Sequence, residues 1–273
     1  MSSYTSISPE KLARLIGTPK CPSLIDVRAD EDFAVNPSLI PGATHRRHSE
    51  IERWTSETTG SSVIVICDKG QKLSQGVAAW LRQAGAASAE VLEGGYQAWI
   101  KAKLPAVQIA KLPVVGASGR TLWVTRARPK IDRIACPWLI RRFIDRRAAF
   151  LFVPPSDIAG VAEQFGATPF DVEGVFWSHR GELCTFDIML AEWGLATAPL
   201  QKLAQIVRGA DTARLDLAPE AAGLLAASLG LSRMYTDDLE QLEAGLQLYD
   251  AFYRWCRDAS DETHNWPSNK AGA

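Results

Sequence analysis

Val63-Ile64-Val65-Ile66-Cys67-Asp68-Lys69-Gly70-Gln71-Lys72-Leu73-Ser74 is the stretch on which the fold turns. Four consecutive β-branched apolar residues with no polar alternation predict a short strand buried on both faces, as in the middle of a parallel sheet. Sheets of that kind place their chemistry at the C-terminal ends of the strands, and this one ends on Cys67. A polar loop with one glycine follows. Its spacing predicts Ser74 as the N-cap of a helix carrying Val77, Ala78, Trp80 and Leu81. Loop amides and the positive helix end would then surround the sulfur, favouring a thiolate and an oxyanion guest. The plain alternative is a strand-end cysteine packed as a small hydrophobe. Asp68, Lys69, Gly70, Gln71 and Lys72 argue instead for a loop at the surface.

Upstream, Ser8-Pro9-Glu10 before Leu12, Ala13, Leu15 and Ile16 reads as a capped helix with proline in its first turn. Ser23-Leu24-Ile25-Asp26-Val27-Arg28 predicts a second buried strand, Ile40-Pro41-Gly42-Ala43 a turn, and Ser49 to Trp54 a short helix. Downstream, Glu90-Val91-Leu92-Glu93 predicts another strand. Gly94-Gly95 turns the chain into a helix from Tyr96 to Lys101. Strands alternating with helices mean a parallel, doubly wound sheet.

Leu24-Ile25-Asp26-Val27-Arg28, Ile40-Pro41-Gly42-Ala43, the strand-end Cys67 and Leu92-Glu93-Gly94-Gly95-Tyr96-Gln97-Ala98-Trp99 together resemble the rhodanese family in order and spacing. The resemblance implies a rhodanese-like parallel sheet flanked by helices. It implies that Cys67 is the persulfide-forming nucleophile of a sulfurtransferase that needs no cofactor. Asp68, Lys69, Gly70, Gln71, Lys72, Leu73 and Ser74 would form its anion cradle, with Lys69 and Lys72 drawing in a small anionic sulfur donor. A thiol or cyanide would accept the sulfur. Ser38-Leu39 stands where the family usually carries Gly-His. Counted from Cys67 to Leu73, the loop is one residue longer than usual, and Leu73 stands where phosphatase relatives need an arginine. Asp26 and Arg28 read as a structural pair.

From Leu104 to Arg120, proline, glycine and serine without helical period predict a linker. A strand at Leu122 to Thr125 opens a second unit. Arg126, Arg128, Lys130 and Arg133 crowd the next segment. Pro137 is expected at the first position of a helix, which would leave Cys136 as its cap. Strands are predicted at Phe150 to Val153 and at Gly174 to His179. Helices are predicted at Pro155 to Phe165, Thr185 to Trp193, Pro199 to Val207, Pro219 to Leu229 and Asp237 to Cys256. The last shows an apolar stripe at 239, 242, 246, 249, 252 and 253. This half reads as α+β and helix-rich. The expected division is 1–106 rhodanese-like, 107–120 linker, 121–260 second domain and 261–273 a flexible tail.

Residues 123–142, 178–187 and 207–212 resemble the C-terminal domain of chromate-resistance regulatory proteins, the ChrB family. That resemblance implies a part in bacterial chromate resistance, sensing or handling chromate or a similar oxyanion. Arg126, Arg128, Lys130 and Arg133 are the candidates to gather the oxyanion by charge-assisted contacts. Single arginines of the run are otherwise expected in ordinary ion pairs with Asp132, Asp145 or Asp171. His179, Cys184, Asp187 and Asp211 are candidate ligands for zinc or iron, since Cys184 and Asp187 would share a helix face below His179. Glu182 would support them from outside the ligand set or act as a general base. No helix-turn-helix is recognisable, so DNA is a partner by family analogy alone, and a homodimer is left open. The rival readings are a chromate-responsive regulator or oxyanion sensor with a non-catalytic rhodanese module, and a metal-dependent enzyme seated in the second domain.

The composition fits. A chain of 273 residues suggests two domains, each with its own core. Lys+Arg 30 against Asp+Glu 31 gives net charge -1, which excludes a generally basic nucleic-acid binder. No apolar run approaches the ~20 residues of a membrane span. The polar first ten residues predict no secretory signal. Five scattered cysteines without a C-x-x-C indicate a reducing, cytoplasmic setting.

Overall fold

The computed structural model describes residues 5–116 and 119–262. Ala117 and Ser118 of the expected linker, and 263–273 of the expected tail, lie outside the described residues. The first half contains β1 (Ser6–Ile7), β2 (Ser23–Asp26), β3 (Ser38–Leu39), β4 (Ala43–His45), β5 (Ser62–Ile66), β6 (Ser88–Leu92) and β7 (Val107–Gln108). Its helices are α1 (Pro9–Leu15), α2 (Asp30–Val35), α3 (Ile51–Trp54), α4 (Lys72–Gln83) and α5 (Gly95–Lys101). Ser8 caps α1, its Oγ accepting from the Lys11 amide at 3.3 Å.

Five strands pair in parallel in the order β1-β6-β5-β2-β4, which makes β5 central. Side chains along β5 alternate between two cores. Ile64 and Ile66 join Leu12, Tyr96 and Trp99 on one face, whereas Val63, Val65 and Cys67 join Trp54, Val77, Ala78 and Leu81 on the other. Burial on both faces is the reason this strand shows no polar alternation. Helices α1 and α5 cover one face, α3 and α4 the other.

In the second half, β8 (Leu122–Arg126), α6 (Asp132–Phe143), β9 (Ala149–Val153), α7 (Ile158–Phe165) and β10 (Thr168–Pro169) build a small parallel sheet in the order β10-β8-β9. Helices α8 (Thr185–Trp193), α9 (Ala198–Asp211), α10 (Ala221–Met234) and α11 (Asp238–Asp258) follow, so the C-terminal region is rich in helix. Among the described residues no helix is long and apolar enough to cross a membrane.

Several local expectations are corrected. Helix α4 begins at Lys72 with Gln71 at its cap, so Ser74 lies in the first turn and the loop from Cys67 to Gln71 is shorter than counted. Helix α6 begins at Asp132, which puts Pro137 inside it and Cys136 in the core, not at a cap. Burying Ile134, Ala135, Trp138, Leu139 and Ile140 together outweighs the roughly 3 kcal/mol cost of a proline at that depth. Gly174 to His179 forms no strand. Positive φ at Asp171 (52) and Gly174 (79) turns the chain there. Trp177 makes a single bridge to Phe170 and spends its ring on Trp123 and Trp193. In the stripe of α11, Leu242, Leu246, Tyr249 and Tyr253 are buried but Leu239 is exposed.

The expected linker is partly folded. β7 pairs antiparallel with β3, and the Lys111 carbonyl accepts from Trp193 Nε1 at 3.0 Å. Each half keeps a cluster of its own, around Val65 and Leu81 in the first and around Val124 and Ile158 in the second, but the largest core is shared. One apolar cluster runs from Leu12, Ile16, Ile40 and Trp99 to Phe143, Leu195, Leu200 and Tyr253. Hydrogen bonds cross beside it, from Arg146 to the Cys21 carbonyl at 2.9 Å and from Arg257 to the Arg14 carbonyl at 2.8 Å.

Candidate functional site

Cys67 follows directly on β5 at the C-terminal edge of the five-stranded sheet, on the face that packs against α4. Its residue exposure is 5%, and its Sγ donates to Ser74 Oγ at 3.1 Å and points to the Gln71 carbonyl at 3.9 Å. The expected ring of amide hydrogens on the sulfur is therefore replaced by a hydroxyl and a carbonyl. Ser74 Oγ in turn donates to Gln71 O at 3.0 Å. The amides themselves are left over. The first backbone bond of α4 runs from Gln75 N to Gln71 O, and among the described residues no acceptor takes the amides of Lys69, Gly70, Gln71, Lys72 or Leu73.

The loop is pinned from behind. Tyr96 N donates to Cys67 O at 2.9 Å, Gln97 N to Asp68 O at 3.0 Å, and Gln97 Nε2 to Asp68 Oδ2 at 2.6 Å. Gly70, at φ 67, lies so close to the β6–α5 turn that a Cβ would sit 2.5 Å from Leu92 O. Lys69 and Lys72 are exposed, while Asp68, Gly70 and Leu73 are half-buried. The other cysteines are held as thiols by burial, which pushes Cys21 and Cys256 up to about 11 and Cys136 and Cys184 well above the usual range.

A second constellation lies in the C-terminal half. His179 Nε2 is 3.4 Å from Asp132 Oδ2, 3.3 Å from Asp171 Oδ1 and 3.3 Å from Asp211 Oδ2. The four come from different elements: Asp132 opens α6, Asp171 follows β10, His179 precedes α8 and Asp211 closes α9. The turn into α6 holds Ile131 at φ 32, a conformation a β-branched residue rarely adopts, and Tyr249 Oη donates to its carbonyl at 2.9 Å. Asp132 Oδ2 accepts from the amides of Thr185 at 2.6 Å and Phe186 at 3.4 Å, while Asp132 Oδ1 is buried without a partner. Burial raises the Asp132 carboxyl to about 7, against the hydrogen bond to His179 and with the charges of Asp211 and Asp171 adding to the rise. At Asp171 burial acts in the same sense, but bonds from His179 and Thr185 and the charges of Arg126 and Arg133 leave it below the usual carboxylate range. Hydrogen bonds to Asp132, Asp171 and Asp211 push His179 up to about 12, against partial burial.

Of the expected metal set, His179 and Asp211 meet, whereas Cys184 and Asp187 do not join them. They form the capping box of α8: Cys184 N donates to Asp187 Oδ2 at 3.1 Å and Cys184 Sγ at 3.3 Å. Asp187 Oδ1 pairs with Arg208 at 3.0 Å. Asp132 and Asp171, read earlier only as partners for arginines, are the acids that complete the group. Nothing in the local pattern marks them, because residues 132 and 171 lie too far apart in sequence for any helix or strand period to link them. The basic run also disperses. Arg126 and Arg133 both reach Asp171 Oδ2, at 3.2 and 3.4 Å. The Arg128 guanidinium is taken by the carbonyls of Ser232 and Tyr235 while its backbone amide donates to Asp238, and Lys130 is exposed. Asp26 and Arg28 form a fully buried pair, 2.7 Å apart.

Two family models match this chain: the rhodanese-like domain over residues 8–102 and the ChrB C-terminal domain over residues 123–256. Protein ChrB of Cupriavidus metallidurans is 36% identical over 133 residues, covering 48% of this chain and 39% of that protein. The match thus spans well under half of that relative's length. Among solved structures, a rhodanese-related protein from Thermoplasma volcanium is 28% identical and covers 38% of this chain and 98% of its own, with a TM-score of 0.33. A rhodanese-like domain protein from Staphylococcus aureus is 27% identical, covers 35% and 90%, and has a TM-score of 0.31. The chain joins a rhodanese-like domain to a ChrB C-terminal domain.

Proposed function

We propose that this chain is a cytoplasmic sulfurtransferase of the rhodanese type that serves chromate resistance, with Cys67 as its nucleophile. The observation that carries the reading is the row of loop amides, Lys69 to Leu73, that among the described residues no backbone acceptor uses, in the loop that leaves the one cysteine at a parallel-strand end. Such amides stabilise an anion without reorganising. The Cys67 thiolate would attack the outer sulfur of thiosulfate, releasing sulfite and leaving a persulfide. A thiol such as glutathione, or cyanide, would then take that sulfur and regenerate the thiolate. Lys69 and Lys72, exposed on the loop, supply attraction for the dianionic donor.

Thiocyanate formation from thiosulfate and cyanide tests this directly. The parent chain should turn over and Cys67→Ala should not. Mass spectrometry after thiosulfate alone should find one added sulfur on the peptide containing Cys67. Turnover surviving in Cys67→Ala would end the reading.

A second reading is favoured by the depth of the sulfur, which at 5% exposure suits binding and sensing better than rapid exchange. Here the first half is an oxyanion-sensing module of a chromate-responsive regulator. Chromate-sensitive, salt-dependent DNA retention without thiosulfate turnover would select it.

A further inference from the structure

The sulfur chemistry at Cys67 leaves unused the cluster in the C-terminal half. We propose that Asp132, His179 and Asp211 bind a divalent metal ion, with Asp171 completing the set. Three carboxylates brought from three separate elements converge on a single imidazole nitrogen, each with one oxygen at 3.3–3.4 Å. Four ligands held tetrahedrally at ~2.0–2.1 Å from one ion stand about 3.3–3.4 Å from each other. The three distances from His179 are thus those of ligands sharing an ion, longer than a good charge-assisted hydrogen bond, and the ligand atoms of Asp132, His179 and Asp211 all lie within 4.8 Å of one another.

Charge points the same way. Three acids face one imidazole here. Of the three carboxylates, Arg126 and Arg133 pair only with that of Asp171, at Oδ2 and not at the Oδ1 that faces His179, and Arg208 is occupied by Asp187. An independent observation is Asp132 itself. Its side chain is wholly buried; Oδ2, which faces His179, also accepts the amides that start α8, and Oδ1 has no hydrogen-bond partner among the described residues. Buried polar atoms are rarely left so, and a bound ion is among the partners that satisfy them.

One imidazole with carboxylate oxygens selects an ion of intermediate hardness: Mn²⁺, Fe²⁺ or Zn²⁺. Copper(I) wants sulfur, and Ca²⁺ wants six or more oxygens. Side-chain exposures of 39% at His179 and 19% at Asp211 leave one side of the ion open to water or an anion.

The test uses the full chain, stripped with chelator and dialysed, then titrated with MnCl₂ or ZnCl₂ by calorimetry and assayed by elemental mass spectrometry. One ion per chain and a rise in Tm that chelator reverses are expected. Asp132 also anchors the start of α8, so the informative variants are the partly exposed His179→Gln and Asp211→Asn, with circular dichroism confirming their fold. Each should weaken the ion by at least about tenfold, while Cys184→Ala, outside the set, should bind as the parent does. Absence of stoichiometric metal in the parent, or unchanged affinity in both His179→Gln and Asp211→Asn, would overturn the proposal. Neither result bears on thiosulfate turnover at Cys67.

Discussion

Arg28 is a buried hub between β2 and β3. Its guanidinium is sandwiched between Phe33 at 4.6 Å and Tyr96 at 3.7 Å, paired with Asp26, and bonded to the carbonyls of Asn36 and Ser38. Removing one partner of a pair that is 0% exposed strands the other charge away from water. Arg28→Met should therefore cost about 3–5 kcal/mol in urea unfolding. The double change Arg28→Met with Asp26→Leu should recover much of it, and equal losses in both variants would contradict the stranded-charge account. Ser74 is the matching residue at the sulfur. Its buried hydroxyl accepts from the thiol and, by turning its own proton from the Gln71 carbonyl, donates to the sulfur once the thiol proton has left. A hydrogen bond to a charged group contributes ~1.5–3 kcal/mol. Ser74→Ala should thus lower kcat for thiosulfate by roughly 10-fold to 150-fold with little change in KM. An unchanged kcat would remove Ser74 from the chemistry.

Helix ends decide what each half presents. At α8 the sequence suggested a ligand pair in Cys184 and Asp187, and the structure makes them a cap. Asp187→Ala should therefore lower stability by about 1–2 kcal/mol in differential scanning fluorimetry, through the lost cap and the lost Arg208 partner. Its metal content should match the parent's. Loss of metal at full stability would return Asp187 to the ligand set. The spacing misled because a cap and a ligand pair both want a polar side chain at the helix start and another three residues on. The elements that could be read in advance are those with strong local signals: Ser8-Pro9 for α1, the β-branched run of β5, and Thr185 to Trp193 for α8. Those that could not were decided at a distance. Helix α6 starts early because its burial against α8 and α11 outweighs its proline. Gly174 to His179 became an irregular loop because Trp177 finds two tryptophans to pack on. The candidate site divides in the same way. The position of Cys67 at a strand end was legible, whereas the meeting of Asp132, Asp171, His179 and Asp211 is tertiary.

At the scale of the molecule the two halves share one apolar core, although two family models divide the chain between them. Gly17 shows how close they come. It holds φ 81, and a Cβ there would lie 2.4 Å from Phe143 Cζ and 2.8 Å from Tyr253 Cε1, both in the other half. The contact is continuous with the core shared by Ile16, Trp99, Leu195 and Leu200. Overpacking such a contact costs ~1–3 kcal/mol, and the left-handed backbone adds ~1–2 kcal/mol for a residue with a side chain. Gly17→Ala should lower the urea midpoint of the first half, and the shared core requires that of the second half to fall with it. Thiol labelling read by mass spectrometry supplies a reporter in each half: Cys67 behind β5 and Cys136 inside α6, both buried. In the parent the two thiols should become reactive at one denaturant concentration, and in Gly17→Ala at one lower concentration. If Gly17→Ala moved the Cys67 midpoint and left Cys136 where it was, the halves would be independent domains that merely touch. The surface between them would then be a docking face, and whatever binds at His179 would have no means of reaching the sulfur.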